Sequence, residues 1–288
     1  MAARSLYHLL LARAVALLAA GGPISPGSAV RNVVGGSIAS CLSDNDAFLQ
    51  TAKGYAEFNQ DQDFELAFHL DNEWRKSPDF ARQCAQLFEG WNLHPRAFEG
   101  EVVVDMGAGS RLRSAYFENA RLVAIEPMAE RLLPHVAAKP HMDIGDPSKV
   151  WQLYSMPAEV RACAVEGLAS LVIVVNVLDH VWKPERALQN AERLLRPCSA
   201  GPALLVISTD LRVEAALGHP NVLTRRWFRE QAHANHSKLQ LVRAFQQHVQ
   251  VEGALRFSWD WNFDDGRSNV AWTFMFRRRC GNGDQAAA

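Results

Sequence analysis

The residues with chemistry to offer fall in three places. Asp105, Gly107, Ala108 and Gly109 form an Asp-x-Gly-x-Gly run, Glu126 follows a second apolar stretch, and Asn176 and His180 follow a third. Glycine lets a backbone turn sharply and come close to a ligand. A carboxylate at the tip of a strand is placed to accept hydrogen bonds from ribose hydroxyls. An imidazole titrates near neutral pH and can take a proton from an oxygen or nitrogen acceptor. Strand, glycine turn, strand and acid in that order indicate a nucleoside-carrying ligand. His180 has a second reading, a loop histidine held by hydrogen bonds, and Asp179 reads as solvent-facing or a cap.

The elements that must position these groups are legible from hydropathy. Val102 to Val104 opens a continuous apolar run of the kind found in a parallel strand covered on both faces, and the two glycines end it. Leu122 to Ile125 gives a second strand, Trp151 to Tyr154 a third and Leu171 to Val175 a fourth. Pro184 is suited to open a helix, with Ala187, Leu188, Ala191, Leu194 and Leu195 at helical spacing until Pro197 prevents continuation. A fifth strand lies within Gly201 to Ser208, a helix over 221–230, and strand-like positions within 239–251. Phe257 to Trp261 and Val270 to Phe276 follow, separated by the turn-forming Asp264-Asp265-Gly266. Before the first strand, Ala47, Phe48, Ala52, Tyr55 and Phe58 suggest one helix, and Phe80, Cys84, Leu87 and Trp91 another.

The Asp-x-Gly-x-Gly turn, together with the strand, Asn-Val-Leu-Asp-His-Val loop and helix ending in Leu-Leu-Arg-Pro, resembles the class I S-adenosylmethionine-dependent methyltransferases. The resemblance implies an α/β fold: a doubly wound, Rossmann-like sheet of seven strands, mostly parallel with an antiparallel last strand, plus N-terminal helices. It implies S-adenosyl-L-methionine as cofactor, held by Asp105, Gly107, Ala108, Gly109 and Glu126. At the third strand's end, Pro157 stands where the family has an acid, leaving the Ala158 N–H and the Glu159 carboxylate for the adenine edge; a helix N-terminus is the other reading of Glu159. Asn176 would face the methionine part, and His180 the acceptor. The expected activity is transfer of a methyl group to an oxygen, nitrogen or carbon of a small molecule.

The motif departs from the family at Arg111, where a third glycine is usual. That departure, with Pro157, keeps open a second reading, a binding or assembly protein on the same fold without turnover. A nucleotide-dependent oxidoreductase is a third, but Leu112 occupies the position where that motif needs its last glycine. Trp74 could present its face to a sulfonium or simply be buried in the core.

Length and composition suit a globular protein. The 288 residues are 48% hydrophobic and 21% charged, with a net charge of −1, which argues against a protein built to grip nucleic acid. The Arg277-Arg278-Arg279 run reads as a solvated strand end. The sequence divides into a targeting or disordered segment over 1–43, a helical cap over 44–98 and a cofactor-binding domain over 99–288. The first segment contains Arg4, Arg13 and Arg31 and no acid before Asp44. This is the composition of an organelle presequence, mitochondrial or plastid, with a secretory signal or an untargeted tail as alternatives. Its apolar stretch is too short to cross a bilayer of roughly 30 Å. The five scattered cysteines offer neither a zinc-like pair nor an iron-sulfur triplet, so no metal site is expected, and they fit a reducing compartment better than a disulfide framework.

Overall fold

The computed structural model describes residues 31–51, 62–63, 65–71, 78–139, 141–178, 180–210, 246, 249–262 and 268–280. Trp74, Tyr55, Phe58, Asp179, the expected helix over 221–230, the turn at 264–266 and most of 239–251 lie outside these residues. Backbone contacts divide the chain between Ser40 and Cys41, and the unit from Cys41 onward carries everything that follows.

Two helices precede the sheet, α1 (Arg31–Leu49) and α2 (Pro78–Glu89), with helical residues 65–71 between them. Then come β1 (Val102–Met106), β2 (Arg121–Ile125), α3 (Ala129–Val136), β3 (Val150–Tyr154) and β4 (Ala169–Val175). Helix α4 (Pro184–Leu194), β5 (Leu204–Asp210), β6 (Val251–Asn262) and β7 (Ser268–Arg278) complete the order. The seven strands form one sheet, ordered β3-β2-β1-β4-β5-β7-β6. The first five are parallel, and β7 is antiparallel to both β5 and β6. This is the α/β architecture that the resemblance implied.

Every residue of β1 and β4 is buried, because side chains alternate across a strand and both faces are covered. On one face Val104, Met106, Val172 and Val174 pack with Ala187, Leu188, Ala191 and Leu194 of α4. On the other, Val103, Leu171 and Ile173 meet Phe80, Cys84, Leu87 and Phe88 of α2. Helix α2 thus covers a sheet face. Burying each such aliphatic side chain stabilises the fold by about 1.5 to 3 kcal/mol. Pro184 opens α4 at its first turn as expected, but the helix stops at Leu194; Leu195 is extended and bridges Ala169.

The chain winds outward from β1 through β2 to β3, then returns to β4 on the other side. A reversal of this kind leaves a crevice at the carboxyl ends of β1 and β4, where open α/β sheets bind ligands.

The cysteines correct one expectation. Cys41 is bonded to Cys163 and Cys198 to Cys280, while Cys84 is free and buried. The partners are 122 and 82 positions apart, so only the folded topology brings them together. The first bond also changes the meaning of the boundary at 43/44, because α1 runs through it and Cys41 lies on its amino-terminal side.

Candidate functional site

The crevice holds an open cleft of about 600 Å³, within the range of small-ligand pockets. Its floor is the turn after β1. Gly107 adopts φ +68° and Gly109 φ +65°, a left-handed backbone that favours glycine. A Cβ on Gly107 would lie 2.4 Å from Val177 Cγ2 in the loop after β4, so the absent side chain is what lets the two strand tips close up.

Glu126, at the tip of β2, fixes this turn. Its Oε2 accepts the Gly109 N–H at 2.7 Å and its Oε1 the Met128 N–H at 3.0 Å. The carboxylate is buried yet lines the cleft. Two oxygens provide about four acceptor sites, so these bonds leave Glu126 capacity for a ligand hydroxyl.

Of the residues named from sequence, Gly107, Glu126, Ala158, Glu159, Asn176 and His180 line the cleft together. Asp105, Ala108 and Gly109 lie beneath it, fully or nearly fully buried. Asp105 braces the turn from below, its Oδ2 accepting the Ser114 N–H at 2.9 Å. Arg111 does not reach the cleft lining; its guanidinium sits 4.9 Å over the Phe80 ring. Leu112 is buried and donates its N–H to Asp143 Oδ1 at 2.6 Å.

No α-helix begins at this turn. The chain passes from Gly109 through a loop into a three-residue 3-10 helix, Ser114–Tyr116. The turn therefore lacks the helix N-terminus on which a dinucleotide pyrophosphate rests.

Ala158 and Glu159 follow β3. The Ala158 carbonyl accepts from Asn190 Nδ2 at 2.9 Å. Glu159 Oε1 accepts the Trp182 and Lys183 N–H groups at 2.6 and 3.1 Å, covering exposed donors just before α4. Its Oε2 is buried without a hydrogen-bond partner among the described residues. Helix α1 holds this segment: Asn45 exchanges hydrogen bonds with the Arg161 backbone, Asp44 pairs with Arg186 at 2.9 Å, and Cys41 is bonded to Cys163.

Asn176 carries φ +58° at the tip of β4, uncommon for a residue with a side chain, and donates its N–H to Ser208 O at 2.8 Å. Four positions on, His180 Nδ1 lies 3.0 Å from Glu65 Oε1. Glu65, Phe68 and His69 reach the cleft from the helical stretch 65–71. The helical cap expected from sequence therefore supplies a wall of the cleft, and the Glu65 partnership was not legible beforehand. Arg113 was missed as well; it is a buried guanidinium that lines the cleft. Two arginines flank Leu112, and only the course of the loop separates the inward one from the outward one.

Burial pushes the Asp105, Asp143 and Glu159 carboxyls above the usual range, opposed for Asp105 by the Arg113 charge and for Asp143 by the Leu112 N–H. As pH rises, the unfolded chain releases these protons first. The stabilisation is therefore full below the ordinary carboxylate pKa of about 4 and is lost as pH climbs through the raised folded values. Glu159→Gln should flatten that decline, read as urea midpoints of variant and wild type across the acid to neutral range. Parallel curves for the two proteins would contradict the assignment for Glu159.

Among the described residues, no group of three His, Cys, Asp or Glu is placed to hold a metal ion, and no helix is long and apolar enough to cross a membrane.

Neither known family profiles nor curated proteins match this chain. Solved structures do resemble it. The CurJ carbon methyltransferase is 13% identical over 63% of this chain and 49% of its own, with a TM-score of 0.46, so this chain spans about half of that protein. The N-methyltransferase NodS from Bradyrhizobium japonicum, in complex with S-adenosyl-L-homocysteine, is 15% identical over 78% of this chain and all of its own, TM-score 0.49. A 16S rRNA (adenine(1408)-N(1))-methyltransferase from Catenulisporales acidiphilia is 16% identical over 67% of this chain and 94% of its own, TM-score 0.43.

Proposed function

We propose that this protein is an S-adenosyl-L-methionine-dependent methyltransferase acting on a small-molecule acceptor. The observation that carries the reading is the combination at the strand tips. A ribose-accepting carboxylate, Glu126, stands beside a glycine turn that leads into no helix N-terminus. The cleft thus has a group for a nucleoside and lacks the one a pyrophosphate requires, which also speaks against the oxidoreductase reading.

S-adenosyl-L-methionine supplies, when bound, a methyl group already activated on a sulfonium. The residues present fit it. Glu126 would accept from the ribose, and Glu159, through its buried and unpartnered Oε2, from an amine at the adenine edge. Gly107 would let the ligand approach the backbone, and Asn176 would face its methionine part. The protein's remaining work is to align the acceptor and exclude water. His180 is placed to take a proton from an oxygen or nitrogen acceptor, with Glu65 orienting the ring and attracting the charge it acquires.

Three acids in the lining, Glu65, Glu126 and Glu159, suit an uncharged or cationic small molecule and would repel a phosphate backbone. Because Arg111 points to Phe80 outside the cleft, its departure from the family pattern gives no reason to favour an inactive binding protein. The two disulfides support the secretory reading of the N-terminus over the organelle one, since such bonds persist in oxidising compartments.

Calorimetric titration of the full chain tests the cofactor. S-adenosylhomocysteine should bind at micromolar concentration and NADH should not, with Glu126→Gln weakening the former about tenfold. NADH binding without S-adenosylhomocysteine binding would overturn the reading. Silence with both would favour the assembly role. In a screen of small phenols and amines with radiolabelled methyl donor, His180→Gln should abolish label transfer while leaving S-adenosylhomocysteine affinity unchanged.

A further inference from the structure

Arg113 is among the largest fully buried side chains of the chain, at 2% exposure, and it lines the cleft. Its Nε has no hydrogen-bond partner, and no carboxylate forms a salt bridge with it, among the described residues. The one acid acting on it at close range is Asp105, whose Oδ2 is committed to the Ser114 N–H. The Phe80 ring centroid, 6.0 Å from the guanidinium, offers a weak cation-aromatic contact. A guanidinium taken out of water this completely costs several kcal/mol unless an anion meets it. Arg113 is also held in place: it immediately precedes the Ser114–Tyr116 3-10 helix, which Asp105 anchors at Ser114.

We propose that Arg113 is the anion-binding group of the cleft and receives the α-carboxylate at the amino-acid end of the cofactor. The proposal rests on the S-adenosylmethionine reading. The carboxylate is that molecule's only anionic group, and a planar guanidinium matches it with two parallel N–H donors. It lies at the end of the ligand opposite the adenine. In this chain the adenine-edge candidates are Ala158 and Glu159, after β3, and Arg113 belongs to the loop after β1. The ligand would then span the tips of β3, β2 and β1, with Glu126 holding the ribose between its two ends.

The test compares two probes on the full chain by calorimetry, S-adenosylhomocysteine and the same thioether lacking its carboxyl group. Wild type should prefer the carboxylated probe by about 30-fold, the scale of a charge-assisted pair. Arg113→Met should bring the two affinities within about threefold, leaving the decarboxylated probe's affinity unchanged. Arg113→Lys, which keeps the charge and removes the planar fork, should give an intermediate ratio and covers the case in which Arg113→Met does not fold. A crystal of the S-adenosylhomocysteine complex should place the carboxylate within hydrogen-bond distance of the guanidinium. Equal affinity of wild type for both probes, or a carboxylate seated elsewhere, would overturn the proposal and leave the cofactor reading standing. Failure of both probes to bind would remove the cofactor reading and the proposal with it.

Discussion

Gly107→Ala is expected to destabilise the fold by about 2 to 5 kcal/mol and to weaken S-adenosylhomocysteine binding by more than tenfold. Two costs act at one atom. The residue sits at φ +68°, where a side chain costs about 1 to 2 kcal/mol. The new methyl would also come within 2.4 Å of Val177 Cγ2, and relieving such overpacking typically costs about 1 to 3 kcal/mol. Val177 cannot retreat freely, because it is buried and its carbonyl accepts the His180 N–H at 2.9 Å. Relief therefore moves the loop carrying Asn176 and His180 away from β1, and the cleft changes shape. Urea denaturation gives the first quantity and calorimetry the second. Normal stability and affinity in the variant would mean that the strand tips do not close on one another as described. Gly107→Ala with Val177→Ala should recover part of the loss, since the steric component alone is removed.

Loss of the Cys41–Cys163 bond is expected to be the second large effect. It closes a loop of 122 positions, for which chain entropy gives about 5 kcal/mol and measured disulfides usually give about 2 to 4. Cys163→Ser should lower the unfolding free energy by that amount, and reductant should do the same to wild type and nothing further to the variant at this site. A change below about 1 kcal/mol, or a native protein whose Cys41 and Cys163 react with a thiol reagent, would show that the bond is not part of the native structure. The bond anchors α1 to the loop carrying Ala158 and Glu159, so the same variant should also weaken nucleoside binding. Truncation at residue 43 would remove Cys41 and have the same consequence.

The parallel strands were legible because their burial on both faces writes unbroken apolar runs, as at Val102 to Val104 and Leu171 to Val175. The turn was legible because a left-handed backbone favours glycine. What could not be read was any property depending on two distant segments. Glu65 and His180 meet 115 positions apart, and no local pattern reports the pairing; the same holds for Cys41 with Cys163. Asp105 illustrates a subtler gap: the motif identifies the residue, but only the structure shows that it faces the underside of the turn and holds Ser114. Arg111 and Arg113 have the same chemistry and nearly the same address, and the loop's course alone sends one to a ring outside the cleft and the other inside.

The order of the cysteines along the chain sets a problem in biosynthesis. Cys41 is made long before Cys163, and Cys84 is made between them. During synthesis in an oxidising compartment, the first of these five thiols to be joined by another is joined by the one that has no partner in the finished fold. The native molecule keeps Cys84 out of reach beside Leu87 and Phe88, against strands that do not yet exist at that stage. Correct pairing is thus a race between early oxidation and completion of the sheet, and a disulfide isomerase would determine how much of the chain escapes a Cys41–Cys84 crosslink.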